Sequence, residues 1–282
     1  MHITVNRCSD PAYEALFDEH IQEVYGFSFS PWLERKLWDE RYESYSVIAN
    51  GRILANVCIF KTDMLIGGQP VRAHQFGAVS TRASERNKGL SRRLLEHVLS
   101  IYPDTLAFMA ANPSALDFYP RFGFRRVQTY RPEIAVSIDN SPDKAVRLDP
   151  DDSLVLGALH GPRVYSGLVD SMNTQSVQRF HLLLNHPEDI CLLPNCGVIV
   201  IARQDGEKLY LADVIAPKPL AFDSLMRELP FCGVKRVEFG FCPNWLDVVP
   251  DWNPANMDEE PYFIRGNWNL PKRFRFPALS ET

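Results

Sequence analysis

The segment from Arg86 to Ser91 reads RNKGLS and lies between a predicted strand and a predicted helix. Backbone N–H groups at the start of a helix point toward its positive end, and a glycine there lets a ligand approach closely, so the segment is suited to bind an anion. The cationic side chains in and around it are Arg82, Arg86, Lys88, Arg92 and Arg93. They exceed what one diphosphate requires. Taken alone, so short a pattern is equally typical of a solvated turn followed by a basic helix face.

Residues on both sides of this segment extend the pattern. Val79, Arg86, Gly89 and Ser91 are spaced as V-x-x-x-x-x-x-R-x-x-G-x-S, and a second group follows a predicted strand. The second group consists of Asn112, Ala115, Phe118, Tyr119, Gly123 and Phe124. Together they resemble the GCN5-related N-acetyltransferase (GNAT) family, with its motifs V-x-x-x-x-x-x-R/Q-x-x-G-x-G/A and A-x-x-F-Y-x-x-x-G-F. The resemblance covers about residues 12 to 135, and Ser91 departs from it where the family prefers Gly or Ala.

The resemblance implies that acetyl-CoA is a co-substrate whose pyrophosphate lies on this loop. The residues it assigns to the coenzyme are Val79, Thr81, Arg86, Asn87, Lys88, Gly89, Leu90, Ser91 and Asn112. Val79 and Thr81 would present strand-edge backbone groups to the pantetheine arm, with the Val79 N–H polarising the thioester carbonyl. Asn112 would help to hold the same arm.

The resemblance also implies that Tyr119 is the general acid. A phenol of pKa about 10 would then protonate a departing thiolate of pKa about 8.5. An amine acceptor must reach the thioester neutral, which requires a base or a water chain. His74, upstream on the same predicted strand, is the nearest side chain that titrates near neutral pH and is taken as the candidate base, with a structural histidine as the alternative. In some two-lobed relatives the C-terminal carboxylate reaches the active site, which adds Thr282 as a candidate.

Local patterns predict the elements that must position these residues. The Asn50-Gly51 pair between two apolar runs predicts a hairpin with a type I′ turn, because both residues accept positive φ angles. Further predicted elements are helices at 11–25, 31–38 and 91–101, strands at 71–81 and 105–111, and a short helix after Asn112-Pro113 that ends or kinks at Pro120. This order favours an α/β (α+β) fold with a mixed central sheet flanked by helices.

A second, smaller α/β lobe of similar architecture is expected downstream. Residues 139–152 are rich in Asp, Pro and Ser and separate a coenzyme-binding domain, 1–138, from a degenerate GNAT-like domain, 150–282. The second half again predicts a hairpin around Asp205-Gly206, a helix near 222–229 and a strand at 234–241. Its connection Ala216-Pro217-Lys218-Pro219 contains two prolines, which lack the N–H donors of an anion cradle. This lobe should not bind CoA. It would shape the acceptor pocket, pack on the first lobe or form a homodimer.

Composition restricts the protein class further. The 282 residues have 45% hydrophobic content, which supplies apolar side chains for two cores. A net charge of −5 disfavours nucleic acid as a partner. The six cysteines have no zinc-ligand spacing, so no metal is expected. The chain lacks a stretch long and apolar enough to span a membrane and has no signal-like start, so a cytoplasmic location is expected.

These observations predict an acetyl-CoA-dependent N-acetyltransferase that acts on a primary amine of a small molecule or peptide by direct attack on the thioester. The net acidity weakly favours a cationic acceptor. Two alternatives remain open: a non-catalytic acyl-CoA-binding sensor or scaffold, and a structural interaction module that binds no CoA.

Overall fold

The computed structural model describes residues 2–7, 9–139 and 145–282. The strands are β1 Ile3–Asn6, β2 Tyr42–Ala49, β3 Arg52–Ile66, β4 Gln69–Thr81, β5 Leu106–Ala110, β6 Arg125–Val127, β7 Tyr130–Asp139, β8 Val146–Arg147, β9 Val169–Met172, β10 Ile190–Leu193, β11 Val198–Asp205, β12 Lys208–Ile215, β13 Cys232–Phe239, β14 Asp251–Pro254 and β15 Tyr262–Arg265. The α-helices are α1 Pro11–Tyr25, α2 Ser30–Leu33, α3 Leu90–Ile101, α4 Ser153–His160, α5 Gln175–Leu184 and α6 Phe222–Glu228. None of these helices is long and apolar enough to cross a bilayer.

The strands form two mixed sheets flanked by helices. The first has the order β1-β2-β3-β4-β5-β15-β6, with β9 paired to the distal end of β3, and the second has the order β14-β7-β13-β12-β11-β10-β8. The β4–β5 pair in the first sheet and the β12–β13 pair in the second are parallel. Two mixed α/β lobes confirm the predicted fold class.

The two sheets interleave along the sequence. The chain enters the second sheet at Tyr130, before the Pro- and Asp-rich segment at which composition changes. It returns to the first sheet briefly at β9 and again at Tyr262. There β15 pairs with both β5 and β6, and its Phe263 and Ile264 are fully buried. Burial of these two side chains, each contributing about 1.5–3 kcal/mol, stabilises the pairing of β15 with β5 and β6. Part of the predicted boundary, residues 140–144, lies outside the described residues, and a division at 139–152 into independently folding domains stays a prediction.

Several local predictions are confirmed. Helix α1 spans the predicted residues and is capped by Asp10, whose side chain accepts the N–H of Ala12 at 3.0 Å. Asn50 and Gly51 have φ angles of 51° and 69°, as a type I′ hairpin requires. The second-half hairpin, helix α6 and strand β13 also lie where the pattern places them.

Two predicted helices are shorter than expected. Helix α2 ends at Leu33 rather than near residue 38. After Asn112 there is no α-helix but two 3₁₀ turns, Pro113–Ala115 and Tyr119–Phe122. Pro120 has no N–H to continue an α-helical ladder, so only tight turns form around it. The prediction of a short helix carrying Tyr119 was therefore wrong in type, although its position was right.

Helices cover both faces of the first sheet. Along β3, Val57 and Ile59 pack toward α3 and its fully buried Leu94 and Leu95, whereas the alternating Phe60 packs toward α1 and α2. The α1–α2 side forms an aromatic layer around Phe17, Phe29, Trp32, Trp38 and Tyr42. Strand β4 thus runs between a helix that begins at the predicted loop and a wall of aromatic rings.

Candidate active site

Strands β4 and β5 separate part-way along their length. Their pairing covers only Ala73–Gln75 opposite Leu106–Phe108. Beyond Gln75, β4 contains a bulge relative to β3, between the pairs Asn56↔Ser80 and Cys58↔Gly77, and Ala78 has a φ of 46°. The Asn56 side chain supports this bulge by donating to the Ala78 carbonyl at 3.2 Å. The divergence leaves the edge of β4 from Gly77 to Thr81 facing a crevice.

The predicted loop forms one end of this crevice. Arg86 is extended, Asn87 has a φ of 63°, and Gly89 has a φ of 76° at the N-cap of α3 without a side-chain cap. A Cβ on Gly89 would meet nothing within 4 Å, so the backbone conformation rather than space is what favours glycine here. The first N–H groups of α3 have no intrahelical acceptor and are oriented to bind an anion.

Most of the residues predicted to bind coenzyme line one groove of about 860 Å³. They are Val79, Thr81, Arg86, Asn87, Gly89, Leu90, Ser91 and Asn112, together with Tyr119. Ser91, the departure from the family pattern, is tied to Thr81 by a hydroxyl–hydroxyl hydrogen bond of 2.5 Å. Asn112 accepts the Ser114 N–H at 2.9 Å through its side-chain oxygen, which leaves the amide NH₂ able to donate into the groove.

The predicted cations divide into two groups. Arg86 and Arg92 line the groove, as does Arg121, which the sequence gave no reason to single out. Lys88 does not line it, and its ammonium pairs with Glu85 at 2.9 Å. Arg82 is buried, donates to the Ile53 carbonyl at 2.6 Å and pairs with Glu19 and Glu23, so it anchors α1 to the sheet.

A second cavity, of about 330 Å³, adjoins the groove. Tyr25, Val79, Asn112 and Tyr119 line both. Aromatic side chains of the α1–α2 region form much of its wall, and Val177, Phe180, His181, Glu281 and Thr282 come from the second half of the chain. The groove and the cavity therefore meet where β4 carries its bulge.

Tyr119 lies at this junction. Its ring contacts Phe263, Phe118 and Phe124, with a centroid separation of 5.4 Å from Phe263. Burial raises its pKa to about 12, so the phenol is protonated at neutral pH and available as a donor. Tyr25, at the end of α1, donates its hydroxyl to the Val79 carbonyl at 3.0 Å.

His74 lies away from these residues. It is opposite Ala107, in the stretch where β4 and β5 are still paired, and it lines neither cavity nor groove. Its ring packs edge-on to Tyr102 at 4.5 Å, and burial together with the charge of Lys61 lowers its pKa to about 4. The geometry thus gives no support to His74 as a base for chemistry at Val79 and Tyr119.

Sequence reasoning did not identify two titratable residues of the cavity, His181 and Glu281. Asn185 donates to Nδ1 of His181 at 2.8 Å, so Nε2 carries the proton and donates to the Glu281 carbonyl oxygen at 2.7 Å. Burial lowers the pKa of His181 to about 4. Burial raises the pKa of the Glu281 carboxyl to about 7, against the opposing effects of the Tyr262 hydroxyl and Arg275. No local pattern marks either residue.

The end of the chain is held beside the bulge. The Gln75 side chain is fully buried and, in the amide orientation that satisfies its neighbours, donates to the Ser280 carbonyl at 2.8 Å and accepts the Thr282 N–H at 3.0 Å. A Cβ on Gly77 would lie 2.7 Å from Oγ1 of Thr282. The last residues thus form a fixed wall of the cavity. Among the described residues, no group of three or more His, Cys, Asp or Glu side chains is arranged to hold a metal ion.

Comparisons with known proteins agree with this geometry. Residues 10–127 match the family model of the acetyltransferase (GNAT) domain. Eis1 from Mycobacterium abscessus has a similar fold, with a TM-score of 0.58 and 15% identity over 93% of this chain and 73% of that one. A GCN5-related N-acetyltransferase from Kribbella flavida gives a TM-score of 0.55 and 13% identity over 93% of this chain and 70% of its own. A GCN5-related N-acetyltransferase from Anabaena variabilis gives a TM-score of 0.54 and 11% identity over 94% of this chain and 72% of its own.

At these identities the likeness is one of fold, and it extends over both lobes. No curated protein sequence matches the chain. The separated strands and the glycine-capped helix agree with the matched domain, which is that of acyl-CoA-dependent N-acyltransferases. Residues 10–127, less than half of the chain, are thus similar to the GNAT acetyltransferase domain.

Proposed function

We propose that the protein transfers an acetyl group from acetyl-CoA to a primary amine of a small molecule or peptide by direct attack on the thioester. One observation carries this proposal: the groove that begins at the N-terminus of α3 opens into a separate cavity at Val79 and Tyr119. A donor and an acceptor held in the two spaces would meet at that junction.

The groove residues fit the coenzyme. The N–H groups at the start of α3, with Arg86, Arg92 and Arg121, bind its phosphates. The open edge of β4 offers backbone groups to the pantetheine amides, and Asn112 donates to the same arm. The Val79 N–H opposes the negative charge that develops on the thioester oxygen.

The transfer requires two proton movements. The amine nitrogen forms a bond to the acetyl carbon while the carbon–sulfur bond breaks, and Tyr119 gives its proton to the departing sulfur. The amine must lose a proton, and we assign its acceptance to the carboxylate of Glu281, a residue of the cavity lining whose carboxyl also accepts a hydrogen bond from the Tyr262 hydroxyl. A carboxyl whose pKa is raised to about 7 is suited to this role near neutral pH.

The second half of the chain has a defined part in this proposal. Val177 and Phe180 on α5, and Glu281 near the chain end, supply one wall of the acceptor cavity. The domain formed by residues 150–282 therefore shapes the acceptor site rather than binding coenzyme.

The test has two stages on the full-length protein. Calorimetric titration with acetyl-CoA should show binding, and addition of a panel of primary amines should release free thiol with formation of the N-acetyl product. Binding without thiol release for every amine would instead support an acyl-CoA sensor. The absence of binding would favour an interaction module that uses no CoA.

A further inference from the structure

Aromatic rings form one continuous wall of the 330 Å³ cavity. Phe180 on α5 lies 4.7 Å from Phe29 and 6.1 Å from Phe27 between ring centroids, and Trp32 lies 5.9 Å from Phe29. Tyr25 and Phe27 are 43% and 40% exposed, which places them at the mouth, whereas Trp32 is buried at the base. A ligand in this space would meet ring faces and edges over most of its surface.

Polar groups are concentrated at one end of the cavity. His181, Glu281 and Thr282 lie together, connected by the hydrogen bond from His181 to the Glu281 backbone and held by Gln75. The cavity thus has an apolar aromatic wall and one polar end. A ligand that fits it should have an apolar aromatic part and one polar group.

The charge of the lining restricts the occupant further. Among the described residues that line the cavity, Glu281 is the single acidic side chain, and none is Lys or Arg. A second or third ammonium group on the ligand would have to lie in the aromatic part of the cavity, away from its polar end, which is strongly unfavourable. One ammonium group, in contrast, is attracted by aromatic ring faces and by the carboxylate.

The volume agrees with one ring and a short arm. A cavity of about 150 Å³ lined by apolar side chains holds a benzene molecule. The present cavity, at about 330 Å³, has room for a ring and a short aminoalkyl chain that reaches Val79 and Tyr119.

We infer that the acceptor is a primary monoamine attached to a flat aromatic body, bound with its ring against the wall that Phe27, Phe29 and Phe180 form. This inference rests on the proposed function and names its substrate class. It narrows the weak expectation of a cationic acceptor to a single ammonium group, because the charge of the lining and not that of the whole chain acts on a bound ligand.

The most direct test measures acetyl-CoA-dependent thiol release with 2-phenylethylamine, n-butylamine and the linear triamine spermidine. The expected kcat/KM is at least about 50-fold higher for 2-phenylethylamine than for spermidine, because only the former buries a ring without burying extra charge. Phe180→Ala should raise KM for 2-phenylethylamine about 10-fold, since it removes one wall of the ring site. The Kd of acetyl-CoA should not change, because Phe180 does not line the groove.

Two controls make the result interpretable. Phe231→Ala removes a half-buried phenylalanine of the second lobe that lies outside the cavity. It should leave the KM for 2-phenylethylamine and the Kd of acetyl-CoA unchanged. Phe180→Leu keeps an apolar group in place and should restore much of the lost affinity if Phe180→Ala folds poorly.

Three results would overturn the inference. Preferred turnover of spermidine would refute the aromatic acceptor and leave acetyl transfer intact. A preference for octanoyl-CoA over acetyl-CoA that Phe180→Ala abolishes would mean that the cavity holds a long acyl chain. Thiol release with none of the amines, despite acetyl-CoA binding, would refute the proposed transfer and the inference together.

Discussion

The two lobes contain the same succession of elements but differ at the position where we propose that the first lobe binds coenzyme. In the first, the hairpin β3–β4 is followed by α3 and the parallel strand β5; in the second, the hairpin β11–β12 is followed by α6 and the parallel strand β13. Both hairpins carry a bulge, in the second lobe between Ile201 and Ala202. A hairpin with a bulge is therefore not sufficient to form the proposed coenzyme site.

The connections to the helices differ most. In the first lobe residues 82–89 end in Gly89 and leave the start of α3 open. In the second lobe residues 216–221 include Pro217 and Pro219, and the N–H of Phe222 donates to the Leu246 carbonyl at 2.9 Å. The Val164 N–H donates to the Ala216 carbonyl, also at 2.9 Å. Two N–H donors that could bind a phosphate are therefore absent, and that of Phe222 is already used.

The strands beyond the hairpin differ as well. Strands β4 and β5 separate after Gln75, whereas the chain after β13 stays against β12: Gly240 donates to the Leu211 carbonyl at 2.8 Å. The second lobe also places Arg163 on the buried carboxylate of Asp213, at 2.9 Å. In the second lobe the protein's own groups therefore fill the position that corresponds to the open crevice between β4 and β5. The two lobes thus differ in strand separation and in an unobstructed helix N-terminus, which are the features that the proposed coenzyme site uses.

The largest expected effect is a loss of kcat on substitution of a tyrosine in the first lobe, which the matching substitution in the second lobe should not cause. Tyr119→Phe removes the proposed proton donor and should lower kcat about 100-fold, the usual scale for loss of a general acid, with the Kd of acetyl-CoA within about twofold of the wild type. Steady-state kinetics and calorimetry measure both. Tyr165→Phe, which alters a half-buried tyrosine of the second lobe that lines neither the groove nor the cavity, should leave kcat unchanged. Equal turnover in the wild type and Tyr119→Phe across the pH range would remove Tyr119 from the mechanism.

The sequence was informative where local chemistry decides the structure. The Asn50-Gly51 turn, the amphipathic α3 and the Gly89 loop each follow from neighbouring residues, and the motif around Tyr119 identified the junction. The placement of Tyr119 in the groove agrees with that pattern, although its catalytic role stays a prediction.

Long-range contacts were not accessible from the sequence. The insertion of β15 between β5 and β6, and the placement of Phe180 and Glu281 in the cavity, depend on pairing and packing between distant segments. His74 was selected because it precedes Val79 on the same strand. The extent of the β4–β5 pairing, which the pattern does not reveal, places it in the closed part of the sheet.

A second prediction concerns two buried carboxyl groups, Glu281 and Glu238, whose pKa values shift in opposite directions. Burial raises the pKa of Glu281 to about 7, whereas Lys208 and Arg275 overcome burial and lower the pKa of Glu238. The proposed base must be deprotonated, so kcat/KM should rise with pH through about 7. The groups that act on Glu281 are Tyr262, Arg275 and Glu260.

Glu281→Gln should remove this dependence and lower kcat/KM at pH 8 by about 10-fold, a modest loss for a base that water can partly replace. Initial rates across pH 5.5–9 with a saturating coenzyme provide the comparison. If kcat/KM of Glu281→Gln still rose with pH near 7, the titration would belong to another group.

The smallest expected effect tests the closed crevice of the second lobe. A Cβ on Gly240 would lie 2.7 Å from the Ala212 carbonyl oxygen, so Gly240→Ala must push the chain away from β12. Overpacking of this kind costs about 1–3 kcal/mol, which thermal unfolding would detect as a lower Tm. Acetyl-CoA affinity should be preserved. A Gly240→Ala variant that gained a second coenzyme site would show that closure alone prevents binding there.

The central claim is that the first lobe binds the coenzyme through the loop from Arg86 to Ser91 and that the second lobe does not. Calorimetric titration of acetyl-CoA into the wild type, Gly89→Val and Gly206→Val tests it most directly. Both glycines have positive φ angles and open space around the Cβ position, so the two variants impose comparable backbone strain. We expect one acetyl-CoA per chain, an affinity at least about 100-fold lower in Gly89→Val, and an unchanged affinity in Gly206→Val. Two molecules per chain, or full affinity in Gly89→Val, would contradict it.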